Sequence, residues 1–183
     1  MENDLFQQVD GGASPTSPLQ LKIVELNVHV ACDYNRRWHS RLPRVQWGNI
    51  VRNTYYVCYG ASYENWCYAV ALWSSPVAQN RFNNGKTILE LRRMAISPEA
   101  PKNTASRMLS IMVRLIRKRF PDITRLISYQ DTDVHKGTIY KASGWHISGE
   151  TDYISWTNEN RRRNLDQAIG KKIRWELDIR RVK

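Results

Sequence analysis

The chain has 183 residues, with 28 Lys and Arg against 17 Asp and Glu, which gives a formal net charge of +11. A chain of this length is most simply one domain, and its 42% hydrophobic residues and seven tryptophans predict a packed core. The positive charge favours a polyanionic partner, with nucleic acid ahead of an anionic membrane surface. No apolar run approaches the roughly 20 residues of a membrane-spanning helix. The acidic, polar start is unlike a secretory signal. Three cysteines without a CxxC pair are typical of a reduced, cytosolic protein.

The first half of the chain predicts an arm, a strand, a loop and a hairpin. Residues 1–20, with their Gly, Ser and Pro, predict a mobile arm ahead of a single domain over 21–183. Alternating β-branched residues predict a first strand from Leu21 to Ala31. The next 17 residues have no clean period and indicate a solvated loop with a short helix inside. Two aromatic runs, 54–59 and 65–74, then predict a hairpin that turns around Gly60, Ala61 and Ser62.

The loop segment interleaves arginines with tryptophans. Guanidinium groups bind phosphate and indoles stack on bases, so this mixture indicates contact with nucleic acid. Simple solubilising charge is the alternative. The predicted DNA-binding residues here are Arg36, Arg37, Trp38, Arg41 and Arg44.

Residues 88–145 alternate strands and helices. Ile88 to Ile96 predicts a strand in which Leu89, Leu91, Arg93 and Ala95 share one face. A charge pair on an edge strand and a ligand-facing pair are both open readings of its adjacent arginines, Arg92 and Arg93.

A proline break then precedes a long amphipathic helix. Asn103 or Thr104 is expected to cap it, and its core stripe is Met108, Leu109, Met112, Leu115 and Ile116. The first turn has no acidic residue, so its free amides suit an anion such as phosphate.

The remaining elements are a short strand ending at Gln130 and Asp131, a helix over 134–143 closed by Gly144, and a strand over 145–153. The basic C-terminal segment, about 155–183, holds an alternating strand around Trp175. Its predicted phosphate contacts are Arg161, Arg162, Arg163, Lys171 and Lys172.

This order of elements resembles the GNAT acetyltransferase fold, an α/β (α+β) architecture with a central mixed twisted sheet of six to seven strands and helices on both faces. More closely, the phrases ELRRMAI, PKNTASRM, SYQDT, GTIYKASGW and RWHSRLP together resemble the Mom family. These are phage proteins that modify adenine in their own DNA and so shield it from restriction. The resemblance covers roughly residues 21–153.

The resemblance implies an enzyme that adds a carbamoylmethyl (acetamido) group to the N6 amine of adenine in double-stranded DNA, in the cytoplasm of the bacterial host. It assigns catalytic roles to His39, Asp131 and Tyr140. The predicted cofactor-binding residues are Arg93, Met94, Ala95, Asn103, Thr104, Ser106 and Arg107, of which the resemblance itself implies Arg93 and Ser106. For the three catalytic candidates, structural alternatives remain open: His39 as a surface histidine, Asp131 as a helix cap and Tyr140 as a core tyrosine with a satisfied hydroxyl.

The group donor is left open as acetyl-CoA or a related acyl or glycine-type compound. Acetyl-CoA enzymes of this fold usually have a glycine-rich loop before the long helix, whereas this chain has PEAPKNTASR there. The product has a CH₂ between N6 and the carboxamide, which plain acyl transfer does not give. Such a step could use a redox metal such as iron, for which His39, Asp131, Asp133 and His135 offer N and O ligands, but their spacing alone is a weak metal signal and no metal site is assigned. The expected assembly is a monomer or homodimer without a membrane partner.

Two other functions stay open. One is an N-acetyltransferase acting on a small amine or a protein with acetyl-CoA. The other is a non-catalytic DNA-binding protein that has kept only the fold.

Overall fold

A computed structural model describes residues 14–39, 41, 44–76, 85–151 and 171–180 of the chain. Seven strands form one sheet in the order β1-β2-β3-β4-β5-β7-β6. Their bounds are β1 Lys22–Leu26, β2 Tyr56–Tyr63, β3 Trp66–Ser74, β4 Ile88–Ile96, β5 Arg125–Asp131, β6 His146–Thr151 and β7 Lys172–Asp178. The helices are α1 Val28–Trp38, α2 Gly48–Val51, α3 Thr104–Arg119 and α4 Thr138–Ala142. The predicted mixed sheet of six to seven strands is confirmed.

The helices cover the two faces of the sheet and bury two cores. On one face, α3 inserts the fully buried Met108, Leu109, Met112 and Ile116 among strand residues; this is the α3-side core. On the other face, α1 and α2 pack Ala31, Cys32 and Ile50 against the strands; this is the α1-side core. The predicted stripe of α3 is therefore confirmed as core, with Leu115 partly buried beside it.

The prediction that the first strand continues to Ala31 is wrong. Strand β1 ends at Leu26, and Asn27 caps α1 by accepting a hydrogen bond from the backbone amide of His29 at 2.8 Å. A helix presents Ala31, Cys32 and Asn35 on one buried face, and this packing overrides the β propensity of the valines. The expected solvated loop is accordingly helical through Trp38.

The hairpin exists, but its turn lies later than predicted. Glu64 and Asn65 form the turn with φ angles of +46° and +67°, as in the type I′ turns that suit two-residue hairpins. Ala61 and Ser62 instead sit at an irregularity in the β2–β3 register. The small residues there mark a break in the ladder and do not reverse the chain.

Strand β4 has a bulge that breaks the predicted alternation. Trp73 pairs with Leu91 and Leu72 pairs with Arg93, so Arg92 is the extra residue. Before the bulge, Leu89 and Leu91 face the α3-side core; after it, Ala95 packs in the α1-side core. Arg93 lies opposite Leu72 and so shares the α1 side. The expected common face of these four residues is wrong.

The C-terminal half departs from prediction at one helix. Helix α4 begins at Thr138, not near Val134, because Gly137 takes the N-cap position with φ +71°. Gly144 ends the helical segment at φ +78°, as predicted. The strand around Trp175 is confirmed as β7, which lies between β5 and β6.

Residues 14–20 precede the sheet with a short 3-10 helix, Pro18–Gln20, capped by Ser17. Residues 1–13 lie outside the described part of the chain, so the arm and the domain limits stay predictions.

Candidate active site

The sheet opens between the C-terminal ends of its two parallel neighbours, β4 and β5. Their parallel ladder runs from Ile88 and Arg125 to Leu91 and Ser128. Beyond that point the described strands continue, β4 to Ile96 and β5 to Asp131, without pairing with each other. Clefts outside the carboxyl ends of strands are where open α/β sheets place their ligands.

A polar cluster lies at this opening on the α1 side. Arg41 connects its acidic members, with Nε 3.5 Å from Asp131 Oδ2 and Nη2 3.5 Å from Asp133 Oδ2. The Arg41 amide also donates to His39 Nδ1 at 3.4 Å. Arg93 and His135 lie near enough to act electrostatically on His39. We call these six residues the polar cluster: His39, Arg41, Arg93, Asp131, Asp133 and His135.

His39 ends helix α1 as its C-cap residue. Burial, together with the smaller effects of the charges of Arg93 and His135, lowers the pKa of its imidazole to about 4. The ring is therefore neutral near pH 7, the form that can accept a proton. The reading of His39 as an ordinary surface histidine does not fit this half-buried position.

Asp131 ends strand β5 and begins the turn that follows. Its Oδ1 accepts a hydrogen bond from the Asp133 amide at 3.0 Å. Its Oδ2 is buried and accepts no hydrogen bond from a described residue, although the Arg41 ion pair is close. Since α4 is capped at Gly137, Asp131 is not the cap of that helix, and one carboxylate oxygen is directed into the polar cluster.

Tyr140 lies on the opposite face, within the α3-side core. Its hydroxyl is 2.8 Å from Ser128 Oγ, and Ser128 is the last β5 residue paired with β4. The ring stacks on Trp175 at 5.3 Å and meets the edge of Trp145 at 5.7 Å. Burial raises the pKa of Tyr140, so the hydroxyl stays protonated. A tightly packed tyrosine thus reaches the point where the two strands begin to separate.

A cavity of about 330 Å³ lies at the start of α3, beside α4. Among the described residues, nothing accepts a hydrogen bond from the backbone amides of Ala105 and Ser106. Asn103 holds the N-cap position in a left-handed conformation with φ +69° and makes no side-chain cap. The donors at this helix end therefore remain available for an anionic group, and they fit a phosphate of a nucleotide-type donor.

The predicted cofactor residues divide into two groups. Asn103, Thr104 and Ser106 line the cavity. Arg107 does not: its Nη1 donates to the Leu21 carbonyl at 2.9 Å, which fastens α3 to the start of β1. Arg93 belongs to the polar cluster, and the adjacent Met94 and Ala95 are packed against the two cores.

Sequence reasoning missed several residues of the cavity wall. The loop before α3 contributes Ala100, Pro101 and Lys102, and α4 contributes Thr138, Ile139 and Ala142. The proline-rich break and the GTIYKASGW phrase were each recognised, but only the fold brings them together. Lys102 adds a cation beside the free amides.

The described members of the predicted DNA-binding set come from distant parts of the chain. Arg36 and Arg37 are exposed in the last turn of α1. Lys172 pairs with Asp131 across β7 and β5, and Lys171 accepts a backbone hydrogen bond from Thr132. Arg161, Arg162 and Arg163 lie outside the described residues.

Several of these side chains already contact the protein. Arg36 pairs with Asp33 at 3.4 Å, and Arg37 lies over the Tyr34 ring. Trp38 stacks on Tyr34 at 4.7 Å and is half-buried. Lys171 pairs with Glu150 at 2.6 Å. Arg44 is exposed.

The described residues of the polar cluster do not form the iron site that their N and O ligands suggest. Among the described residues, no three His, Cys, Asp or Glu side chains are grouped so that they could hold a metal ion. Arg41 explains this physically, because its guanidinium pairs with both Asp131 and Asp133. The described residues also include no helix long and apolar enough to cross a membrane.

The divided sheet, with a long helix starting at its opening, is the GNAT acetyltransferase fold. The ribosomal-protein-S18-alanine N-acetyltransferase from Escherichia coli is similar over 89% of this chain and 96% of its own, with a TM-score of 0.62 and 14% identity. The spermidine N-acetyltransferase from Vibrio cholerae, solved with CoA and spermine, is similar over 87% of this chain and 96% of its own, with a TM-score of 0.60 and 11% identity. A GNAT family acetyltransferase from Elizabethkingia anophelis with acetyl-CoA bound is similar over 87% of this chain and 98% of its own, with a TM-score of 0.57 and 13% identity.

Within this fold, the sequence identifies the family. The Mom protein family matches residues 25–176, and the chain belongs to it. No curated protein matches the sequence. The matched range contains every member of the polar cluster and the whole cavity wall.

Proposed function

We propose that this protein is a phage DNA-modification enzyme that transfers a carbamoylmethyl group to the N6 amine of adenine and so protects the DNA from host restriction. Membership of the Mom family supports this activity. The observation that carries it is the polar cluster at the opening of the sheet, where a neutral histidine and a buried carboxylate oxygen lie beside cationic residues from both ends of the chain.

The acceptor side of the reaction belongs to the polar cluster. A duplex hides the N6 amine in a base pair, so the adenine must be turned out of the helix at a cost of a few kcal/mol. Exposed Arg36 and Arg37 in the last turn of α1, and Lys172 opposite Asp131, would offset that cost by binding phosphates.

Proton removal from N6 falls to His39 or Asp131. The amine is a weak nucleophile because its lone pair is delocalised into the ring, so it needs a proton acceptor in the transition state. His39 is neutral near pH 7, and Asp131 presents a buried oxygen with no hydrogen bond from the described residues. Arg41, which pairs with Asp131, keeps that carboxylate oriented toward the cluster.

The donor side belongs to the α3 cavity and Tyr140. The amides of Ala105 and Ser106, with Lys102, would hold the phosphates of a CoA-type donor. Because plain acyl transfer would leave a carbonyl on N6, the donor must present the CH₂ of the carbamoylmethyl group, so that the N6–CH₂ bond forms as the bond from that CH₂ to the leaving group breaks. Tyr140 would donate a proton to the leaving group at the strand separation, since burial keeps its hydroxyl protonated. Whether the donor is of the acyl or the glycine type is open to a labelling experiment with glycine and acetate.

Co-expression with a plasmid tests the function directly. Nucleosides from that plasmid, separated and weighed by mass spectrometry, should include a heavier deoxyadenosine. The substitutions His39→Ala and Asp131→Asn should each abolish it. Arg114→Gln, which removes one exposed charge from α3, is the matched control and should leave the product intact. Folded wild-type protein with wholly unmodified adenine would refute the proposal.

The second candidate is an N-acetyltransferase that uses acetyl-CoA on a small amine or a protein. The cavity at the start of α3, with its free amides, favours it. It predicts micromolar binding of acetyl-CoA by calorimetry and acetyl transfer without DNA. Lack of binding, together with adenine modification in cells, would exclude it.

A further inference from the structure

The bulge in β4 places two arginines side by side on the α1 side of the sheet. Arg92 is the extra residue of the bulge, and its Nη1 donates to Ser74 Oγ at 3.1 Å. Its Nε lies 3.5 Å from Glu90 Oε1, in a pair with only 17% and 10% of the side chains exposed. Arg93 lies opposite Leu72, a residue of the α1-side core. A regular strand would have sent these two adjacent side chains to opposite faces.

The two arginines differ in their charge balance. Arg92 has the Glu90 carboxylate, whereas Arg93 forms no ion pair with any residue in the described part of the chain. One Arg93 nitrogen, Nη1, donates to the Arg92 carbonyl at 2.6 Å, which fixes the guanidinium against the bulge. Its Nε is buried and has no hydrogen-bond acceptor among the residues that the structure describes. The group of Glu90, Arg92 and Arg93 therefore carries one positive charge more than its single carboxylate neutralises.

The Arg93 side chain is half-buried, and an excess positive charge and an unsatisfied buried Nε are unfavourable in such a position. The Arg93 guanidinium is nevertheless held in place by the bulge and by the Arg92 carbonyl, beside the Arg92–Glu90 ion pair. Such an arrangement is stabilised when an anion arrives, and a guanidinium fork matches the two oxygens of a carboxylate or a phosphate.

We propose that Arg93 is the anchor of an anion-binding subsite on the α1 side of the opening, built by Glu90, Arg92 and Ser74 and separate from the donor cavity at α3. Its ligand is a carboxylate or a phosphodiester oxygen pair. Under the proposed function, that anion is either the carboxylate of a glycine-type donor or the phosphate beside the adenine. Anion binding at the subsite can be measured without an assay of enzyme activity.

His39 provides a local probe of the subsite. The charge of Arg93 is one cause of the low pKa of His39, so an anion bound at Arg93 should raise that pKa. The imidazole resonances of wild-type protein are followed by NMR against pH with added acetate, glycine or dimethyl phosphate, at constant ionic strength. We expect the His39 pKa to rise with at least one of these anions, while exposed His146 stays unchanged.

Two substitutions decide the interpretation. Arg93→Gln should raise the His39 pKa without any anion and should remove the anion response. Arg93→Lys, which keeps the charge but loses the fork, should retain the low pKa and bind the anion at least tenfold more weakly. Arg114→Gln should behave as wild type. The carboxylates and dimethyl phosphate are compared by their affinities, and the tighter class identifies the ligand source.

The proposal is overturned if no anion shifts His39 in folded wild-type protein, or if Arg93→Gln responds as the wild type does. Should the plasmid adenine prove unmodified while the His39 response persists, the subsite stands and the proposed reaction alone fails. If instead the adenine is modified but His39 does not respond, the reaction stands and the subsite is refuted.

Discussion

Replacing Gly137 with alanine should destabilise the fold far more than the same change at Gly144. Both glycines have a left-handed backbone, with φ +71° and +78°. A Cβ at Gly137 would stand 2.5 Å from Gln130 Oε1 and 2.6 Å from Trp175 Cζ2, whereas a Cβ at Gly144 meets nothing within 4 Å. The pair therefore separates backbone strain from steric conflict within one short segment.

The magnitude follows from adding the two effects. A left-handed alanine costs roughly 1–2 kcal/mol, which is the whole expectation for Gly144→Ala. At Gly137 the new methyl also collides with the buried bond from Trp175 Nε1 to Gln130 Oε1, 2.7 Å long. Overpacking of a core adds about 1–3 kcal/mol, and a disturbed buried hydrogen bond about 1 kcal/mol or more. We expect Gly137→Ala to lower the free energy of unfolding by about 3–5 kcal/mol.

Urea unfolding followed by tryptophan fluorescence measures both variants. Because a domain of this size loses about 2–4 °C in Tm per kcal/mol, Gly137→Ala should lower Tm by roughly 6–20 °C. The reasoning is refuted if the two variants lose the same stability within about 0.5 kcal/mol. That result would mean that Trp175 and Gln130 move aside freely.

Three further predictions concern the site. The folded pKa of His39 is about 4, whereas an unfolded histidine titrates near 6.5, so the unfolded chain binds this proton first as pH falls. The free energy of unfolding should therefore decline from about pH 6.5 toward pH 4. His39→Gln should flatten that decline in urea titrations, and an unchanged pH dependence in the variant would contradict the prediction. Tyr140→Phe and Ser128→Ala each break the same 2.8 Å hydrogen bond, and each should lower the free energy of unfolding by about 1 kcal/mol. Only Tyr140→Phe should stop adenine modification. If both variants lose product equally, the role of Tyr140 is structural. Arg36→Gln and Arg37→Gln should each reduce the slope of log K against log salt for DNA binding by about 0.9, and an unaltered slope in filter-binding titrations would remove them from the interface.

Much of the fold was readable because its signals are local. The stripe of α3 repeats within one helix, and its methionines are fully buried as predicted. The alternation around Trp175 predicted β7, and Gly144 marked the end of the α4 segment. Each of these patterns depends on neighbours a few residues away, which the sequence displays directly.

The errors lie where packing overrides local preference. Val28 and Val30 favour a strand, yet the helix that buries Ala31 and Cys32 against the sheet is the form adopted. The bulge at Arg92 has no local signal, because it is defined by the register between β3 and β4. A single extra residue there moved Arg93 away from the face of Leu91.

The sequence by itself determined the composition of the site: its cationic character, its family phrases, and the histidine, aspartate and arginine of the polar cluster. Only the tertiary structure decided which of these residues meet. Lys172 comes beside Asp131 through strand pairing across 41 positions of the chain, and Arg41 pairs with two carboxylates far along the sequence. Such contacts arise from long-range pairing and burial, which leave no short-range pattern in the sequence. The charged residues of the site could therefore be counted from the sequence, but which of them form ion pairs with each other could not be predicted.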